Sequence, residues 1–177
     1  DLVREAYYDL PAAALGLPGV QVQLYPDQGS RRVVEGLLSY PEESKALQSK
    51  RVQLETAATD LVEPYRTGLK DTALAAALFN GLRERTRTDA AAGATAYHAL
   101  VEGAADSEGM ALAYKELCDL AGLPCRIVEG ALGEDASFWT IVTLEEGSRH
   151  VDPAQADGLL LTDAQMAQAG YTWPDGE

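Results

Sequence analysis

The feature that most constrains the fold is a change of hydrophobic period at Gly122-Leu123-Pro124. Before this tripeptide, apolar residues recur at helical spacing, which predicts an amphipathic helix over 107–121. Gly122 suits a left-handed helix end, and Pro124 prevents continuation. After it, side chains alternate in the segments CRIVEGAL (125–132), SFWTIVTL (137–144) and SRHVD (148–152), which predicts successive strands. Helices followed by an antiparallel meander indicate an α+β fold.

The rest of the chain adds a hairpin and further helices. Residues on both sides of Asp27-Gln28-Gly29 alternate apolar and polar, which predicts strands near 20–25 and 32–40. Leucine spacing predicts helices over 42–65 and 72–86, the second capped by Asp71 or Thr72. Shorter predicted elements are a helix near 95–102, a strand at GLLL (158–161) and a helix over 163–168 capped by Thr162.

The length of 177 residues suits a single domain. We therefore expect one domain over 1–177, with a hairpin at 20–40, a helical part over 42–121, strands over 125–161 and a final helix over 163–168. The chain has no initiating Met and no apolar leader, so we expect a mature or trimmed form of a longer precursor.

The charge balance restricts the partners. Lys and Arg total 14 against 28 Asp and Glu, giving a formal net charge of -14, which repels phosphate backbones and argues against a nucleic-acid partner. The acidic residues are spread along the chain, as expected for a solvated surface. No apolar run approaches the roughly 18 residues of a membrane span.

The two cysteines, Cys118 and Cys125, lack His or Cys neighbours at metal-ligand spacing. They stand at a predicted helix end and strand start, where they could approach each other. We expect buried free thiols, and pairing remains the alternative. The segment DPAQAD (152–157) lacks the ligand density of a calcium loop, so we expect neither a metal nor a cofactor.

Three segments carry a family resemblance: TAYHALVEGAADSEGMALAYKELCDLAGLPCRIVEG, FWTIVTLEEGSRHVDP and GLLLTDAQMAQAGYTWP. In this order and spacing the chain resembles the transglutaminase-like domain of bacterial extracytoplasmic proteins, within the papain-like superfamily. The family has a catalytic Cys at the start of a helix, a His two residues before an aromatic on a later strand, and an Asp at a strand end. The helix N-terminus stabilises the thiolate, and the His and Asp supply and orient the base.

Matched position by position, the resemblance places the nucleophile at Ser107, the base at Ser137 and the orienting acid at Asp152. Only Asp152 keeps the residue type of the family. Trp139 keeps the aromatic two places after the base, and Asp152 keeps its HVDP setting. Trp139 and Tyr114 are the aromatic candidates for the core or the wall of a cleft.

Ser107 has two main interpretations. Serine is a favoured N-cap, and we expect this role, although Asp106 could cap the helix one residue earlier. Alternatively, Ser107 is a nucleophile served by a relocated His150, which shares a strand face with Asp152. A third interpretation, an introduced inactivating change at Ser107, leaves Ser137 unexplained.

We therefore expect a catalytically silent transglutaminase-like domain, with an active serine hydrolase or acyl transferase as the alternative. We expect the carboxylate of Asp152, released from a histidine, to accept from backbone N–H groups or from Ser137. The resemblance implies an exported protein, secreted or lipid-anchored. It also implies a binding or structural role, with a peptide or a cell-envelope component as the partner of a remnant cleft.

Overall fold

The computed structural model describes residues 2–25 and 33–174 and shows the predicted α+β fold. The helices are α1 (Leu2–Asp9), α2 (Pro11–Ala14), α3 (Ser44–Val62), α4 (Asp71–Arg85), α5 (Ser107–Ala121) and α6 (Asp163–Gln168). The strands are β1 (Gly19–Tyr25), β2 (Val33–Ser39), β3 (Arg87–Thr88), β4 (Ala104–Ala105), β5 (Cys125–Leu132), β6 (Asp135–Leu144), β7 (Gly147–Val151) and β8 (Tyr171–Thr172).

The main sheet is antiparallel, with the strand order β7-β6-β5-β8. Its register places Val128 opposite Trp139 and Thr140 opposite Val151. Helix α5 packs on one face, where Val142 and Leu144 join the main hydrophobic core. The other face carries a smaller cluster built around Trp139. The two faces of the sheet therefore belong to two different hydrophobic clusters.

Helix α5 is the central element of the core, and its predicted bounds are confirmed. Every residue from Gly109 to Cys118 is buried, because the sheet covers one side and α3 and α4 cover the other. Gly122 ends the helix with φ 74°, as its sequence position predicted. Truncating a fully buried residue such as Leu117 to Ala should cost about 2–5 kcal/mol.

Two further helices are close to their predictions. Helix α3 starts two residues later than predicted and gives way to a 3₁₀ turn at Glu63–Tyr65. Pro64 explains this change, because it has no N–H to continue the α-helical bonding. Helix α4 starts at Asp71, but its cap is Lys70 without a side-chain bond, so neither predicted N-cap is used.

The structure corrects several short elements. Residues 158–161 form no strand: only Leu161 bridges to His150, and Leu160 has φ 57°. The helix predicted near 95–102 is a π-helical turn over His98–Glu102. The helix over 163–168 and its Thr162 cap are confirmed, with a complete capping box. Helices α1 and α2, the parallel β3–β4 pair and strand β8 were not predicted from the sequence.

The predicted hairpin is present as β1 and β2, which pair antiparallel from Gly19 opposite Ser39 to Tyr25 opposite Val33. The predicted turn at Asp27-Gln28-Gly29 lies outside the described residues. Every residue of both strands is exposed, so the hairpin projects its side chains into solvent on both faces.

Helices of the length and hydrophobicity needed to cross a bilayer are not found in the described part of the chain.

Candidate functional site

Ser107 is the first residue of α5, and the N-cap is Asp106. The Asp106 Oδ1 atom accepts from the Gly109 N–H at 2.9 Å. The expectation that Ser107 caps the helix is therefore wrong by one residue. Ser107 is partly buried, and its hydroxyl has no hydrogen bond to the residues that the structure describes. The serine consequently stands at a helix N-terminus without a bound partner.

Two tyrosine side chains from α1 lie beside the first turn of α5. The Tyr8 hydroxyl donates to Glu108 at 3.1 Å, and its ring packs edge-on against Phe138 at 6.3 Å between centroids. Burial raises the pKa of Tyr8 and also that of Glu108, the latter opposed by the bond from Tyr8. Tyr7 is 4% exposed, and within the described residues its hydroxyl has no partner. Helix α1 thus covers part of the region beside Ser107.

Ser137 lies on β6 opposite Gly130 and is 6% exposed. Side chains alternate along a strand, so Ser137 shares the face of Trp139, which packs in the smaller cluster. Phe138 lies on the opposite face, which is the face turned to α5. Within the described chain, the Ser137 hydroxyl forms no hydrogen bond, so the expected bond from Ser137 to Asp152 is not found.

Asp152 is fully buried, and both of its carboxylate oxygens are occupied. Oδ2 accepts from the Tyr171 hydroxyl at 2.6 Å, and Oδ1 accepts from the Ala154 N–H at 2.9 Å. Burial raises the pKa of Asp152, and these two hydrogen bonds oppose the rise. Burial, together with the bond to Asp152, also raises the pKa of Tyr171. Asp152 therefore anchors strand β8 and the turn after β7, and it orients no histidine.

His150 is 2% exposed, so it lies in the interior of the protein. Its Nδ1 atom accepts from the Trp139 Nε1–H at 2.8 Å, and its Nε2 atom lies 3.1 Å from Asp163 Oδ1. Because the indole N–H is only a donor, Nδ1 is unprotonated and Nε2 carries the proton. The ring of Trp173 lies 4.9 Å from the imidazole, centroid to centroid. Burial lowers the pKa of His150, and the bond to Asp163 opposes this effect.

His98 is the second of the two histidines in the chain. Its Nδ1 atom lies 2.6 Å from Thr95 Oγ1, and its Nε2 atom lies 4.0 Å from Glu102. The ring packs directly over Gly93, where a Cβ atom would come within 2.3 Å of it. Both imidazoles therefore have partners other than Ser107.

The remaining aromatic and thiol candidates are core residues. Tyr114 is fully buried and donates to the backbone oxygen of Ala75 at 2.9 Å, so it lines no cleft. Trp139 is also fully buried. Cys118 and Cys125 are free thiols, but Cys125 is only partly buried, so the expectation of a buried free thiol is confirmed for Cys118 alone. Burial raises the pKa of Cys118 well above its usual range, and contact with the Cys125 thiol adds to this effect.

The surface clefts of the described residues include two that lie beside aromatic side chains. One, of about 530 Å³, lies at the β5–β8 edge beside Trp173 and is lined by Glu129, Gly130, Ala131, Thr172, Trp173 and Pro174. The other, of about 480 Å³, lies between the end of the hairpin and α3, and Tyr40 and Arg51 are among its lining residues. Ser107 lines neither of them. Over residues 2–25 and 33–174, no group of three or more His, Cys, Asp or Glu side chains is placed to hold a metal ion.

Comparison with known proteins identifies the fold. The chain aligns over 97% of its length with a crystal structure of a TGase, at 13% identity and a TM-score of 0.52. It aligns over 87% of its length with a candidate cysteine protease from Cytophaga hutchinsonii, at 11% identity and a TM-score of 0.51. The aligned region covers 54% of the TGase chain and 70% of the protease chain, so the protein spans about half of the former. No family model and no curated protein matches the sequence.

These similarities establish an α+β fold of the transglutaminase-like class. At 11–13% identity they assign no activity to the chain.

Sequence reasoning missed two parts of this region. It gave no role to Tyr171, whose bond to Asp152 joins residues 19 positions apart. It also missed Tyr7 and Tyr8, whose segment is too short for a strong periodic pattern. Both sets of contacts depend on long-range packing that a local pattern does not contain.

Proposed function

We propose that this chain is a catalytically silent transglutaminase-like domain with a binding or structural role. One observation carries the proposal: the chain has two histidines, and both imidazoles bond elsewhere than to Ser107. A serine hydroxyl is a weak nucleophile at neutral pH and needs a base within hydrogen-bond reach. The matching of Ser107, Ser137 and Asp152 to the triad positions of the family belongs to the same proposal.

The surroundings of Asp152 and Ser137 also support a site without catalytic activity. Asp152 is committed to Tyr171 and to a backbone N–H, so it has no free oxygen turned to a base. Ser137 cannot accept a proton as an imidazole does. The alternative, a hydrolase that uses Ser107 with His150, is not supported, because Trp139 and Asp163 occupy both ring nitrogens of His150.

The catalytic half of the proposal is tested by turnover of an activated ester and of a glutamine peptide with an amine acceptor. Wild type and Ser107→Ala should both give the rate of buffer alone. A wild-type rate above buffer that is lost in Ser107→Ala would show an active serine enzyme instead.

For the binding role, we propose the cleft beside Trp173 as the site for a peptide or a cell-envelope component. Trp173 is partly exposed. Its ring packs edge-on against Trp139, with 5.9 Å between centroids, and in a tilted arrangement against His150, with 4.9 Å between centroids. A fixed aromatic side chain contributes contact area at a low entropy cost. The backbone of β5 lines the same cleft at Gly130, and we expect an extended peptide to lie along it.

An extracytoplasmic location, secreted or lipid-anchored, is part of this proposal. It rests on the family resemblance of the three sequence segments.

The binding half is tested by sedimentation with purified peptidoglycan and by titration with a mixture of unstructured peptides, read by isothermal titration calorimetry, whose signal does not depend on Trp173. One of these probes should bind, and Trp173→Ala should weaken binding at least tenfold. Tyr40→Ala, in the cleft beside α3, is the matched control and should bind like wild type. Equal loss in both variants, or no binding of either probe, would contradict the proposed cleft.

A further inference from the structure

The β1–β2 hairpin has one face that is entirely apolar. Val20, Val22 and Leu24 alternate on β1, and the register places Leu38, Gly36 and Val34 opposite them on β2. The five apolar side chains of this set are between 48% and 71% exposed. Soluble monomers rarely expose a contiguous apolar patch larger than a few hundred Å². We call these six residues the apolar hairpin face.

The opposite face of the same hairpin is mixed. It carries Gln21, Gln23 and Glu35 together with Val33 and Leu37, and the Tyr25 hydroxyl bonds to the side chains of Gln23 and Glu35 at 2.7 and 2.8 Å. Such a division, with one face wholly apolar and the charged and amide side chains on the other, resembles a strand pair within a two-layer sandwich. A hairpin of two strands alone is marginally stable in water, so this division calls for a second layer.

The charge and the size of the apolar hairpin face indicate what kind of partner covers it. Glu35 is the single charged residue in β1 and β2, and it points away from the apolar hairpin face, whereas the whole chain carries a formal charge of -14. Two copies that meet through this face place no charge in the contact and keep their acidic bodies apart. The seven paired residues give each face a footprint of about 24 by 10 Å. This is smaller than the roughly 800 Å² per partner of a stable dimer, so the association should be weak and dependent on concentration.

We propose that two copies of this chain associate through their apolar hairpin faces, packed against each other about a two-fold axis. Each face then supplies the second layer that the other lacks. The contact is self-complementary, as a two-fold interface requires, since valine and leucine side chains meet the same set on the other copy. Gly36 leaves a depression in the face, because nothing lies within 4 Å of the position of its missing Cβ atom.

Two matched variants test the proposal. Val22→Glu adds a carboxylate to the apolar hairpin face, and Gln21→Glu adds the same charge one residue earlier on the opposite face, where its cross-strand neighbour is Leu37. Both raise the net negative charge of each copy equally, so general repulsion between the bodies is the same. Sedimentation velocity is measured from micromolar concentrations to about 1 mM.

Wild type and Gln21→Glu should dimerise in the sub-millimolar range, and Val22→Glu should weaken dimerisation at least tenfold. Added salt should strengthen the wild-type dimer, because it screens repulsion between the acidic bodies. Isotope-filtered NMR of a mixed wild-type sample should show contacts between the methyl groups of Val22 in one copy and those of the same face in the other.

Three results would overturn the proposal. They are a wild-type protein that stays monomeric at about 1 mM, a dimer that survives Val22→Glu, and a dimer lost equally in both variants. The NMR contacts decide the case if Val22→Glu disturbs the hairpin, because they are measured on wild type. If a different protein covers this face, the isolated chain stays monomeric, which is the first of these three results.

Discussion

We predict that acidification below about pH 6.5 destabilises the fold through His150. In the folded protein its Nδ1 atom accepts from the indole of Trp139, and its Nε2–H donates to Asp163. A proton on Nδ1 would place two N–H donors against each other at a distance of 2.8 Å. It would also charge a ring that is 2% exposed. Protonation of His150 and the native packing around it therefore exclude each other.

The sign and size of the effect follow from the direction of the pKa shift. Burial lowers the folded-state pKa of His150 below the unfolded value of about 6.5. The unfolded state then binds more protons at acidic pH. The stability is complete above the unfolded pKa and is lost as the pH falls below it, until the folded pKa is passed. Within that window the loss approaches about 1.4 kcal/mol per pH unit.

Urea unfolding of wild type and His150→Gln, between about pH 8 and pH 5, measures this loss. The Gln amide oxygen can still accept from Trp139, but it does not titrate. Glu108, Glu116 and Asp152 have pKa values raised by burial, and they act in the opposite direction. Their contribution is common to both proteins, so the difference between the two pH curves belongs to His150. Parallel curves would refute the reasoning.

Three further variants test the local chemistry. Asp106→Ala removes the cap and should lower the free energy of unfolding by about 0.5–2 kcal/mol. Ser107→Ala should change it by less than about 0.5 kcal/mol. Equal losses of the two variants in urea unfolding would contradict the assignment of the cap to Asp106. Tyr171→Phe removes a hydrogen bond to the buried Asp152 carboxylate and should cost about 1–3 kcal/mol at neutral pH. Because that bond lowers the pKa of Asp152, its removal raises the pKa further, and the cost should shrink once acid protonates the carboxylate. A cost independent of pH would contradict this account.

The sequence predicted best the elements whose ends are determined by neighbouring residues. Helix α5 and strand β5 were placed to the residue because Gly122 and Pro124 separate two different periods within three positions. The cap of α6 at Thr162 was predicted for the same reason, since a capping box lies within four residues. The N-cap of α5 was placed one residue late, because Asp106 and Ser107 are both strong capping residues.

The sequence predicted poorly whatever depends on tertiary contacts. The run at 158–161 has the composition of a strand, but Leu160 takes a left-handed conformation, and only Leu161 bridges to His150. The burial of His150 depends on Trp139 and Trp173, which approach it from β6 and from the segment after β8. The occupied carboxylate of Asp152 was anticipated in type, but its main partner lies 19 residues further along the chain.

The central claim, that Ser107 is not an activated nucleophile, is tested most directly by covalent labelling. Wild type and Ser107→Ala are incubated with excess fluorophosphonate, and the products are analysed by intact mass and peptide mapping. The structure predicts no adduct on Ser107, because neither imidazole bonds to its hydroxyl. A stoichiometric adduct on the Ser107 peptide that is absent from Ser107→Ala would contradict the account.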